Sequence, residues 1–410
     1  MFERQLMRLR TDPFWTGLFL AAVLFFCGCA PSAIPPVEAP ALVEISQNRF
    51  PEFTDDMDFD GLSSGIGQSL GYYKKLPEDR VLHFGKDEYR VSDLIRSLEF
   101  FRDFIEKRPD ARSLKAFIAA NFRVYRCAGK DGAGRVLFTG YYEPVLEGSL
   151  HSSEKFSCPV LSLPDDLITA DLSLFSDELK GKKIIGRIEQ NRLIPYPERR
   201  EIEAGAIRES AKPLAWVHDP VDLFFLQIQG SGKINLVEGG QMNVHYHASN
   251  GRPYRSIGKH LIETGKIDSK EMSMQRIRSY LTEHPEAVSD ILNQNPSYVF
   301  FKTEEQGPLG CFGFPLTAGR SIALDRRIFP PAALVYITAQ KPLIDQEGNI
   351  QAWTEFGRFA LNQDTGGAIR GPARADIFWG NGPYARIAAG HLQHYGALCF
   401  LVLKPDASKP

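Results

Sequence analysis

At Val124 the hydrophobic period of this chain changes, and that change limits what it can fold into. From Val91 to Phe122 apolar residues recur at helical spacing (Leu94, Leu98, Phe101 and Ile105, then Leu114, Phe117 and Ile118), and Pro109 divides the run into two helices. Beyond it, Val124–Cys127, a Lys130-Asp131-Gly132 turn and Val136–Tyr142 read as a hairpin. Strand-and-turn material continues to about residue 245, with Leu223–Ile228 among its short β runs. Helical spacing then returns over Tyr254–Thr264. Asp268 is placed to cap a second helix through Met274, Ile277 and Leu281, and Pro285 to start a third. From Tyr298 to Leu403 short strands dominate again. Strand runs separated by helices, without regular βαβ alternation, indicate an α+β or barrel architecture over a doubly wound sheet.

The N-terminus carries a different signal. Arg4, Arg8 and Arg10 precede an apolar run from Phe14 to Cys27 that ends in Gly28-Cys29-Ala30, the layout of a secretory signal. The run is too short and too abruptly ended for a membrane-spanning helix. Phe26-Cys27-Gly28-Cys29 resembles a bacterial lipoprotein box with Cys29 as the lipidated residue. Ala30 after it resembles lipoproteins of the outer membrane facing the periplasm. Residues 1–29 are then the signal and 30–50, rich in Pro and Ala, a tether.

A net charge of −2 provides no basic field for nucleic acid and suits an uncharged or zwitterionic substrate. Beyond the signal, Cys127, Cys158, Cys311 and Cys399 are widely spaced, with no CxxC pair and no His at ligand spacing, so no metal site is suggested. There is no HExxH and no P-loop.

A C-terminal cluster stands out: Leu361-Asn362-Gln363-Asp364-Thr365-Gly366-Gly367, then Arg374-Ala375-Asp376-Ile377-Phe378-Trp379. Asp364 follows a buried-strand pattern, and Asp376 sits against apolar residues that would strip its hydration and raise its pKa. Glycosidic cleavage needs such an acid. Aspartates that merely form turns by capping backbone amides fit the same residues.

The cluster resembles the three-aspartate domain of the membrane-bound lytic murein transglycosylase A family, with Asp325 in Ser321–Pro331 as its third aspartate. Phe138–Pro144, Leu226–Gly232, Tyr254–Lys259, Met272–Gln275 and Asn295–Phe301 also match family motifs in order, so the resemblance spans about residues 45 to 405. The twelve positions from Asp364 to Asp376 slightly exceed the spacing in some members, and Gly371-Pro372 can absorb the extra residue.

The resemblance implies an α+β, mainly β fold: a double-psi β-barrel (51–142 and 246–405) interrupted by a smaller β domain (143–245), with flanking helices and a glycan groove between the domains. By position it implies Asp376 as catalytic acid/base, Asp364 as its support and Asp325 as structural. Thr139, Tyr141, Glu143, Gln229 and Ser231 would bind substrate. The implied reaction is non-hydrolytic cleavage of peptidoglycan without metal or cofactor, by an enzyme held to the membrane through its lipid and open to a wall-remodelling assembly. A two-carboxylate muramidase and a non-catalytic wall-binding lipoprotein are the alternatives.

Overall fold

The tether ends earlier than its composition suggests. The computed structural model describes residues 40–130 and 132–405, and within it Leu42–Ile45 already forms a strand, β1. Leu42 is buried while Val43 and Glu44 are exposed, so no two-residue burial period marks the strand in the sequence. The signal, Cys29 and residues 30–39 lie outside the described residues. No described helix is long and apolar enough to cross a membrane.

Helix α1 (Leu62–Tyr73) holds Gly65, Gly67 and Gly71, so tertiary packing must offset poor propensity. Gly65 is needed for that packing, since a Cβ there would stand 3.1 Å from Leu361 Cδ2. A small hairpin, β2 (Val81–Phe84) and β3 (Asp87–Arg90), leads into α2 (Val91–Ile105) and α3 (Ala111–Asn121). These are the helical pair divided at Pro109. Asp110 caps the second by accepting from the Ser113 N–H at 2.7 Å. Then come β4 (Phe122–Cys127) and β5 (Val136–Tyr141).

The middle of the chain builds a second sheet. Its strands are β6 (Val145–Ser149) and β7 (Cys158–Leu161), followed by a separate three-stranded sheet of β8 (Ile168–Asp171), β9 (Lys183–Glu189) and β10 (Arg192–Pro195). After the short α4 (Arg199–Glu203) and β11 (Pro213–Val217), the expected strand at 223–228 proves to be helix α5 (Pro220–Gln229). Asp219 caps it, Pro220 opens it and Gly230 closes it in the left-handed region. The run shows no period because the helix is buried on two sides. Leu223 and Leu226 pack on the sheet, while Val221, Phe224 and Phe225 pack on later helices.

Strands β12 (Ser231–Leu236) and β13 (Gln241–Ser249) precede α6 (Ile257–Glu263), α7 (Met274–Glu283) and α8 (Val288–Leu292). Ser273, and not Asp268, caps α7, and Pro285 opens a 3-10 turn before α8. Strand β14 (Val299–Glu304) then rejoins the second sheet, whose order is β14-β13-β12-β6-β11-β7. A domain boundary at 245 would therefore cut β13 and strand β14 on the wrong side. The sheet draws on the chain from Val145 to Glu304.

The C-terminal region supplies β15 (Ser321–Ala323), β16 (Leu334–Ile344), β17 (Ile350–Asp364), β18 (Arg374–Phe378), α9 (Gly382–His391) and β19 (His394–Leu403). Six strands close on themselves in the order β19-β16-β17-β15-β18-β5, with β5 returning to β19. This is the expected double-psi barrel, and its ring has no open edge. The chain is α+β and mainly β. The expected hairpin does not form, because β19 pairs with β5 through His394↔Phe138 and with β4 through Cys399↔Arg126. Asp131 of its turn lies outside the described residues.

Candidate active site

Strand register brings the two aspartates to one level of the barrel. Ala323 on β15 is opposite Asp376 of β18 on one side and Asp364 of β17 on the other. The β15–β17 register slips between Ile322 and Ala323, inserting Gln363 as an extra residue and re-aiming Asp364. Gln363 is held from below: its Nε2 donates to Gly65 O (2.7 Å) and Ser69 Oγ (2.9 Å) of α1. Strand β5 runs parallel to β18, with Thr139 opposite Asp376 and Tyr141 opposite Phe378. Gly140 between them is required. A Cβ there would meet Trp379 Nε1 at 2.6 Å and Ala389 Cα at 2.9 Å.

The carboxyls differ in how they are held. Asp364 Oδ1 accepts from the Cys311 N–H (3.0 Å) and the Thr365 N–H (2.8 Å), and its Oδ2 from the Tyr141 hydroxyl (2.8 Å). Asp376 Oδ1 accepts from the Thr139 hydroxyl at 2.7 Å, and its Oδ2 has no partner among the described residues. Arg374, two positions earlier on the same strand face, donates to Thr139 Oγ1 at 3.3 Å. Burial raises the pKa of both aspartates. Asp364 rises to about 6 against the pull of its three donors, and the Asp376 charge adds to the rise. For Asp376, the Thr139 hydrogen bond and the Arg374 charge oppose its burial.

Asp325 belongs to a different environment. Its buried carboxylate takes the Arg327 guanidinium at 2.9 and 2.6 Å and the Gly371 N–H at 2.9 Å, and Arg327 holds it well below the usual carboxylate range. It ties the 325–327 turn to the loop before β18.

The remaining expected residues line the junction between barrel and second sheet. Glu143 is 2% exposed; Asn381 Nδ2 (3.0 Å) and Lys233 Nζ (3.4 Å) reach its Oε2, and its buried Oε1 has no partner among the described residues. Gln229 Oε1 accepts from the Tyr142 N–H at 3.0 Å, tying the end of α5 to the end of β5. Ser231 opens β12 and is half-buried. Thr139 with Asp376 and Tyr141 with Asp364 thus form two separate hydrogen-bonded pairs at one level of the barrel, and Glu143, Gln229 and Ser231 lie where the chain leaves the barrel.

Sequence reasoning missed Arg374, although a two-residue strand period places it beside Asp376. It also missed Cys311, whose backbone contact comes from a loop with no motif. The acidic stretch from Asp55 supports the site: Asp55 pairs with fully buried Arg320 at 2.6 Å and Asp56 with Arg358 at 2.7 Å, clamping the start of the body onto β15 and β17. A cavity of about 390 Å3, lined by Tyr142, Gln275, Arg278 and Arg386 among others, includes neither Asp364 nor Asp376. All four body cysteines are free, and no cluster of three metal-ligating side chains occurs among the described residues.

Residues 137–302 match the family model described as the MltA specific insert domain, and residues 320–402 that of the 3D domain. The chain is 34% identical over 309 residues to the membrane-bound lytic murein transglycosylase A of Escherichia coli K12, covering 75% of each. It belongs to the membrane-bound lytic murein transglycosylase A family. The Vibrio cholerae member is 30% identical over 309 residues, again 75% of each chain. Among solved members, the lytic murein transglycosylase of Agrobacterium tumefaciens superposes with a TM-score of 0.72 at 28% identity, covering 88% of this chain and 98% of that one. The structure of Escherichia coli MltA with bound chitohexaose gives 0.68 at 27% identity, covering 90% and 96%.

Proposed function

We propose that this enzyme cleaves the β-1,4 bond between N-acetylmuramic acid and N-acetylglucosamine of peptidoglycan, with Asp376 as acid and then base. The observation that carries the reading is the asymmetry of its carboxyl: Oδ1 is fixed by Thr139, while Oδ2 is unengaged. Burial favours the protonated form needed at the start.

Asp376 gives its proton to the glycosidic oxygen as the C1–O4 bond breaks, its electrons leaving with that oxygen, through an oxocarbenium-like state. The resulting carboxylate takes the proton of the muramyl C6 hydroxyl as O6 attacks C1, closing a 1,6-anhydro ring and restoring the acid. The nucleophile belongs to the sugar, so no second carboxylate has to activate water.

Asp364 supports Asp376 through its charge: where it ionises, it discourages loss of the neighbouring proton. A muramidase would need Asp364 or Glu143 as second carboxylate; three donors already occupy both oxygens of Asp364, and Asn381 and Lys233 hold Glu143 Oε2. The glycan lies across the junction of barrel and second sheet, against Glu143, Gln229 and Ser231, with Thr139 and Tyr141 beneath it. That a relative was solved with a bound chitohexaose supports an oligosaccharide there. Its relatives' names describe them as membrane-bound, which supports anchoring through Cys29 on the periplasmic side of the outer membrane.

The test is mass analysis of fragments released from purified sacculi. Anhydro-muramyl ends are expected from wild type and none from Asp376→Asn. Release of unmodified reducing ends by the wild type would replace this reading with the muramidase.

A further inference from the structure

The three-stranded sheet of β8, β9 and β10 has one packed face and one open apolar face. Cross-strand register sets Ile184 and Ile188 of β9 on the same side as Ile168 of β8 and Leu193 of β10. All four are exposed, whereas Ile185 on the opposite face packs against the core around Tyr196. The loop leaving β8 adds Leu174, 84% exposed, and Phe175, 76% exposed, more than any other large apolar side chain described. A half-buried sheet ordinarily turns polar residues outward, so this face reverses the usual alternation and forms an apolar surface with a projecting tip.

The tip carries both signs of charge: Lys180 and Lys182 stand beside it, as do Asp177 and Glu178, all exposed. Neither of these two lysines has an ion-pair partner among the described residues, whereas Arg192 and Lys183, the latter 3.5 Å from Asp171, lie on the Ile185 face of the sheet. We propose that this face docks on a lipid bilayer, with Leu174 and Phe175 entering the headgroup–acyl boundary and the lysines meeting anionic headgroups. A projecting apolar tip has no groove to seat a folded ligand, but a fluid bilayer surface conforms to it.

The inference rests on the membrane anchoring proposed above. Ten residues lie between Cys29 and Pro40, a span that cannot exceed about 40 Å even when fully extended. An anchored body is thus kept near the surface, where a weak patch binds as an intramolecular event.

The test uses the full lipidated chain in phosphatidylglycerol–phosphatidylcholine vesicles, the phosphatidylcholine brominated in its acyl chains. Phe175→Trp should show emission above the wild-type background that is blue-shifted and quenched by the brominated lipid. Tyr395→Trp, on the barrel, should show neither change. A chain that floats with vesicles but leaves Phe175→Trp unquenched overturns the docking face and spares the anchor. One that does not float overturns both. A blue shift that grows with protein concentration and is indifferent to lipid assigns the face to a second copy, which also overturns the proposal.

Discussion

The Thr139 hydroxyl donates to Asp376 Oδ1 at 2.7 Å, and it can do little else, because Arg374 already donates to the same oxygen from the other side. A hydroxyl has one proton, and the guanidinium directs it onto the carboxylate. That bond favours the charged form and offsets part of the rise caused by burial.

Thr139→Val keeps the shape and removes the bond, so the Asp376 pKa should rise. Activity that needs the protonated acid is lost as pH rises through that pKa. The alkaline limb of the pH–rate profile for anhydro-product release should therefore move to higher pH, with lower kcat from looser positioning.

Asp364→Asn should move the same limb the other way. Above about pH 6, where Asp364 is ionised, removing its charge lets Asp376 lose its proton more easily, so the alkaline limb falls. An unchanged profile in Asp364→Asn would show that the two carboxyls are not coupled.

Asp364 also marks stability. A carboxyl raised by burial to about 6 favours the fold while protonated. That contribution is present below the unfolded value near 3.9 and is lost as pH rises through about 6. Between those limits wild type should lose a few degrees of Tm relative to Asp364→Asn, as read by thermal melts across pH.

Asp325 has the opposite sign. Arg327 depresses its pKa, so its contribution is present above the unfolded value and is lost as pH falls below it. Asp325→Asn should cost about 2 kcal/mol at neutral pH through weakened bonds to Arg327 and Gly371. Denaturant melts of the variant measure that loss, and binding of glycan fragments should fall little.

Gly140→Ala places a methyl against Trp379 and α9. About 1–3 kcal/mol of destabilisation is expected, together with displacement of Thr139 and Tyr141 and a large loss of activity. Equilibrium unfolding and turnover on sacculi report the two effects separately.

The site was legible where function shows in short motifs. Asp364, Asp376, Thr139 and Tyr141 stand in those motifs, and the fold pairs Thr139 with Asp376 and Tyr141 with Asp364. Topology was less legible. The false hairpin of β4 and β5 is opened by β19, and no local pattern reports a strand that arrives so late in the chain. Helix α5 lost its period because two cores cover it, and α1 hid behind its glycines. Arg374 was readable from strand alternation, but the Cys311 backbone donor depends on a loop whose course only the folded chain reveals.

The most direct measurement of Asp376 chemistry is cleavage of sacculi in water enriched in heavy oxygen. If the muramyl C6 hydroxyl is the nucleophile, the new ends from the wild type should be anhydro-muramic acid free of solvent oxygen, and Asp376→Asn should release none. Heavy oxygen at the new muramyl C1, or equal release by Asp376→Asn, would contradict the single-aspartate mechanism.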